Sequence, residues 1–301
     1  MWFFFALLGY FLLAVVFILD KFILTKAVGK PVVYTFYSTI FMFGTLLAWP
    51  LGVELLRGSD WTWALVSGVA FGLALWTLFI AVKTGEASHI NPFNGAIITT
   101  ATFGLSAIFL GERLSATQLL GMAILIVASF ILSFETSRQH RGWHMGFVWA
   151  IVSGILFGIS HVSAKYLYEI YPFLTGFVWT RATTGLVGLA VLFAPAVRQA
   201  FKRTRREKPK TQAKRPAFSI VIITKALAIL AVILIQYAMA ISSVSLVAAL
   251  SGLQFALMFG LVFVLTKFAP RIFKEYFTKQ ELAVQTVGII LVVAGSALLV
   301  F

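Results

Sequence analysis

The chain has 301 residues, 60% of them hydrophobic and 11% charged, a balance far too apolar for a water-soluble domain of this length. It contains no cysteine, which excludes disulfides, thiolate metal sites and thiol nucleophiles. The net charge of +14 sits mostly in loops between apolar runs, so it reads as membrane topology, and neither a nucleic-acid partner nor a cofactor is expected.

Apolar runs long enough to cross a ~30 Å hydrocarbon core as helices recur at 2–19, 31–53, 61–82, 90–111, 114–134, 145–164, 170–197, 216–242, 243–266 and 282–301. The first has no basic n-region and no small-residue cleavage site, and is taken as a span rather than a removed signal. A barrel would show short alternating segments instead. The expected fold is therefore an all-α membrane protein of about ten transmembrane helices. Loops after odd-numbered spans hold 19 of the 24 Lys and Arg, so by the positive-inside rule those loops are cytoplasmic and both termini face outward across the plasma (inner) membrane. The longest polar stretch, the basic linker 198–215, reads as a solvated loop able to hold anionic lipid headgroups, and 270–277 as a short surface helix.

The chain repeats itself once. Lys21 and Lys165, and Gly44 and Gly188, are 144 positions apart; Asn94-Gly95 answers Ser251-Gly252 at 157, and Gly121 answers Gly288 at 167. Two five-helix units, 1–142 and 143–301, are expected. An odd number of spans per unit makes them inverted repeats, the architecture on which alternating access is built.

At Phe109-Leu110-Gly111-Glu112-Arg113-Leu114, then Gln118 to Gly121, the sequence resembles the EamA-type branch of the drug/metabolite transporter superfamily. Gln285 to Gly288 leading into Ala294-Gly295-Ser296-Ala297, Pro92 and Arg181 extend the likeness. It implies a ten-helix carrier of small molecules made of two inverted five-helix units. The Gly-Glu pair has no counterpart in the second copy, where Phe268-Ala269 stands.

Ionised groups inside a membrane are costly and point to function. Arg181 and Lys225 lie deep in spans seven and eight, while all ten carboxylates fall in loops or at span ends, so the two cations are expected to stand without partners at their depth. An anion, or the carboxylate of a zwitterion such as an amino acid, is the expected cargo, since the planar fork of Arg181 suits two-point recognition. Alternatively, Arg181 bonds backbone carbonyls and Lys225 snorkels to the surface. His161 suits a proton relay, or simply bonds a neighbouring helix. Asn91 and Asn94 flank Pro92 in span four and Ser251 and Gln254 open the matching part of span nine, where unwound backbone could face a solute; Trp76, Trp179, Gln236 and Tyr237 are candidate walls. Gly121 with Ala128, and Gly288 with Gly295, allow close helix approach within one chain or in a homodimer, and Glu112 is expected at the amino end of span five. The leading function is a secondary transporter working by alternating access. The rivals are a membrane enzyme acting on lipid-linked phosphate and a drug or cation exporter, the latter disfavoured by the absence of a mid-depth acid.

Overall fold

The computed structural model describes residues 1–23, 30–85, 87–133, 144–206, 215–268 and 279–300, and all regular structure among them is helical. The first span is α1 (Trp2–Phe22). The second is α2 (Pro31–Ile40), with Pro31 at its first turn where a missing N–H costs nothing, continued by a 3-10 stretch, Phe41–Leu51. Then come α3 (Asp60–Thr84), α4 (Ala87–Phe109), α5 (Ala116–Leu132), α6 (Met145–Ile170), α7 (Phe173–Leu192), α8 (Pro195–Arg206), α9 (Arg215–Ile241), α10 (Val244–Ala249), α11 (Ser251–Phe268) and α12 (Lys279–Val300).

Among the described residues eight helical stretches are long and apolar enough to cross a membrane, which makes this a multi-span membrane protein. They are α1, α2 with its 3-10 continuation, α3, α4, α6, α9, α10 with α11, and α12. The other two expected spans are α5, apolar but only 17 residues long, and α7, which carries Arg181 among four threonines.

In lipid a backbone or hydroxyl group left without a partner is costly, so most find one within the protein. Thr35, Ser38, Thr39, Thr77 and Thr180 accordingly bond carbonyls one turn back in their own helices. Others tie helices together: Ser67 donates to the carbonyl of Ser160 at 2.9 Å, Ser153 to that of Ala74 at 2.9 Å, and Thr183 to that of Ala64 at 2.7 Å. α3 is thereby locked onto α6 and α7. Small residues set the spacing: a Cβ at Gly68 would lie 2.0 Å from Thr183 Oγ1, and Cβ atoms at Gly121 and Gly295 would each lie 2.9 Å from the other's carbonyl oxygen. The small-residue faces of the fifth and last spans thus meet each other within the chain.

Several expectations are corrected. The first half of the basic linker is not a loop but α8, because the chain turns after Leu192 and restarts at Pro195; residues 207–214 and the proposed surface helix at 270–277 lie outside the described residues. α4 does not unwind at Pro92, which lies inside a continuous helix. Span nine does break, at Leu250 between α10 and α11, next to Ser251-Gly252. Glu112 does not open α5. Gly111 takes a left-handed turn (φ 63°), Ser115 caps α5 with a reciprocal Gln118 bond, and the Glu112 carboxylate accepts instead from Ser106 Oγ at 2.5 Å and from Ser245 Oγ of α10.

Candidate functional site

A cavity of about 140 Å³ lies in the interior, walled by α1, α2, α3, α4, α6, α9 and α11. Aromatic and aliphatic side chains such as Phe17, Phe71, Phe79 and Phe157 form most of its surface, and polar groups enter it in three places.

The first is built by α1, α2 and α9. Lys225 Nζ donates to Ser38 Oγ at 2.8 Å, lies 3.8 Å from Asp20 Oδ1 and sits 3.8 Å above the Tyr34 ring, while the Tyr34 hydroxyl also donates to Asp20. Asp20, 8% exposed, and Lys225 both line the cavity. The expectation that Lys225 stands without a partner is therefore wrong. Asp20 closes α1 and looks terminal in sequence, but the long lysine stem carries the charge along α9 to meet it. Sequence reasoning missed Asp20, Tyr34 and Ser38; the one signal was a carboxylate at the last turn of an otherwise apolar span.

The second joins α6 to α9. Tyr168 donates to Gln236 Oε1 at 2.8 Å, and Gln236 Nε2 lies 3.2 Å from His161 Nδ1. His161 thus makes the interhelical bond that was the alternative to a relay, while still lining the cavity with Gln236. The third lies on α4 and α11. Asn94 spends its amide on the carbonyl of Ala150 at 2.7 Å, whereas the Ser251 hydroxyl and Gln254 Nε2 are buried without a hydrogen-bond partner among the described residues. All three residues line the cavity.

Arg181 is fully buried, and none of its three guanidinium nitrogens has a hydrogen-bond partner among the described residues. It is not itself a wall residue. Its guanidinium lies 4.0 Å from the centroid of the Phe71 ring, and Phe71 is a wall residue. One aromatic ring therefore lies in contact with both the guanidinium and the void. The remaining candidates are elsewhere. Asn91 is buried with its amide 3.9 Å from Met258 Sδ; Trp76 joins the apolar cluster that α2, α7 and α8 form; Trp179 packs edge-on to Trp49 and Trp61 and donates to the carbonyl of Glu54 at 2.8 Å. Tyr237 packs on Phe5 and Phe173. Among the described residues no group of three or more His, Asp or Glu could hold a metal ion.

No family profile matches the chain. A protein of a Sinorhizobium species, named as an uncharacterized transporter in a cobO 3' region, is 32% identical over 79 residues, 26% of this chain. That stretch spans 55% of the relative's own length. A crystal structure of another protein superposes on 98% of this chain and 93% of its own with a TM-score of 0.65 at 17% identity, a likeness of fold.

Proposed function

We propose that the chain is a secondary transporter of small anionic or zwitterionic organic solutes, amino acids being the favoured class, working by alternating access. The observation that carries this reading is the cavity itself: an interior void holding a compensated charge pair, Asp20 with Lys225, and buried donors that the protein leaves unused, Ser251 and Gln254. A zwitterion would meet opposite charges at Asp20 and Lys225, and its polar atoms would satisfy the third cluster. Arg181, in contact with Phe71, is the reserve of positive charge for a carboxylate. The sequence likeness to a protein named a transporter weighs toward a carrier rather than an enzyme.

The inverted-repeat reading is supported by which spans touch. Span three packs on span six while span eight packs on span one; span two meets span seven, span four meets span nine, and span five meets span ten. Exchanging the two copies maps this set onto itself, as a pseudo-two-fold axis requires. Membership of the EamA-type branch fits that pattern and rests on the motifs around Glu112 and Gly288.

A second reading, export of organic cations, is favoured by one observation. The buried acid that sequence reasoning found lacking is present as Asp20, although Lys225 occupies it.

Proteoliposome uptake across a panel of amino acids, organic anions and organic cations tests both. Arg181→Met should reduce anion or zwitterion uptake at least tenfold with folded yield intact. Unchanged uptake removes Arg181 from the mechanism, and uptake confined to cations overturns the first reading in favour of the second.

A further inference from the structure

Two wall residues of the cavity, one on each of two facing helices, are also exposed at the surface of the bundle. α9 is clasped twice along its length: at Lys225 by Ser38 and Asp20, and at Gln236 by His161 and Tyr168. Eleven residues separate the two clasps, about 16 Å at ~1.5 Å per residue. Between them the facing helix leaves. Beyond Ile40 the chain tightens into its 3-10 stretch and is drawn to α7, with Thr45 Oγ1 3.3 Å from the carbonyl of Val178 and the amide of Glu54 donating to Thr175 at 3.1 Å. α9 is held on its other side by α1.

One turn beyond the first clasp on each helix stand Phe41 and Ile229. Both line the cavity, yet they are 61% and 41% exposed. Phe41 is the eleventh residue of the 21-residue span Pro31–Leu51, and Ile229 the tenth of the 22-residue span Ile220–Ile241. The space between them therefore falls near the midpoint of both spans, the depth at which the medium outside a membrane-spanning bundle is hydrocarbon rather than water.

We infer that this space is a lateral window, and that the site takes single-chain amphiphiles whose charged head rests at Asp20 and Lys225 while the tail passes between Phe41 and Ile229 into the bilayer. The inference rests on the carrier reading and specifies its substrate. The enclosed volume of about 140 Å³ is close to that of an engineered cavity, ~150 Å³, that is filled by benzene. A sealed site of that size would reject any side chain much larger than one ring. A windowed site sets no such limit, because the excess chain stays in lipid.

The test uses α-amino acids with linear side chains of three, six and ten carbons, titrated onto the full chain in nanodiscs. Through an open window the dissociation constant, referred to the aqueous concentration, should fall about fourfold for each added methylene across the whole series, the value for transfer of a CH2 out of water. A turnover beyond six carbons, with shorter members still binding, overturns the window and leaves the carrier reading intact. Binding of no member overturns both. Because the native chain has no cysteine, Ile229→Cys supplies a unique reporter: the ten-carbon acid should protect it from a lipid-soluble maleimide and the three-carbon acid should not. Equal protection by the two refutes a tail in the window.

Discussion

Replacing Lys225 by methionine leaves Asp20 buried with the Tyr34 hydroxyl as its remaining partner among the described residues. At a separation of 3.8 Å the gross Coulomb attraction is about 4 kcal/mol with an effective dielectric near 20. Desolvation of two mostly buried ions offsets much of it, so the pair adds little net stability. Losing one partner is different, because the other keeps its desolvation cost, and about 3–5 kcal/mol is the expected loss. Asp20→Asn with Lys225→Met should return to within about 1–2 kcal/mol of the native chain, since an apolar stem replaces one charge and an amide that still accepts from Tyr34 replaces the other. Reversible unfolding in bicelles, measured for the four members of this cycle, gives the coupling energy directly. Uptake gives a second readout: Asp20→Asn exposes an uncompensated cation and should shift preference toward anions, while Lys225→Met should shift it toward cations. Additive single costs, each under about 1 kcal/mol, with no change in charge preference would refute the pairing and the two-ended site built on it.

Three further expectations follow from contacts elsewhere. Gly68→Ala forces a methyl against Thr183 and the backbone of Thr180 and Thr184, so it should cost about 1–3 kcal/mol and lower folded yield, while Gly104→Ala, with open space around it, should be neutral or slightly favourable in the same thermal-unfolding assay. Ser106→Cys with Ser245→Cys, whose native oxygens lie 2.7 Å apart, should form the chain's one disulfide on mild oxidation; if the contact between α4 and α10 opens during transport, uptake should stop and return on reduction, and uptake unaffected by a formed disulfide would show that this contact stays closed. Ser251→Ala and Gln254→Met remove a hydroxyl and an amide nitrogen that have no partner among the described residues, so stability should hold within about 0.5 kcal/mol or rise, while solute affinity, followed by isothermal titration, should fall about tenfold; a stability loss without an affinity loss would mean these groups serve packing.

What the sequence disclosed and what it withheld divide along a physical line. Local terms were legible. Continuous apolar runs gave the spans, Ser251-Gly252 marked the break after Leu250, and the repeated Gly121 and Gly288 segments identified two helices, α5 and α12, that pack closely on each other. Pro92 was misread because a proline near the start of a helix frees a single carbonyl, which α4 accommodates without unwinding. The site was harder, since it depends on which helix meets which. Arg181, His161, Asn94, Ser251 and Gln254 could be singled out as polar groups in apolar surroundings. That Asp20 would face Lys225 follows from α1 packing against α9, a contact between residues two hundred positions apart that no local pattern encodes. Glu112 failed similarly: its partner Ser245 belongs to the other copy.

Arg181 marks where stability and function part. A guanidinium offers five donors and, buried, loses several kcal/mol of hydration. Among the described residues the nitrogens have no hydrogen-bond partner, and the Phe71 face returns about 2 kcal/mol. The residue weakens the bundle that holds it. For a simple anion Lys225 offers less, because Asp20 compensates its charge. An anion reaching the cavity would therefore find its strongest unsatisfied donors in contact with a single phenyl ring, and rotation of Phe71 would exchange a weak cation–π contact for a charge-assisted hydrogen bond roughly twice as strong as a neutral one. If carboxylates are the cargo proposed above, the energy released when the ring yields would select for them, and Phe71, with no polar atom of its own, would belong to the recognition machinery as much as Arg181.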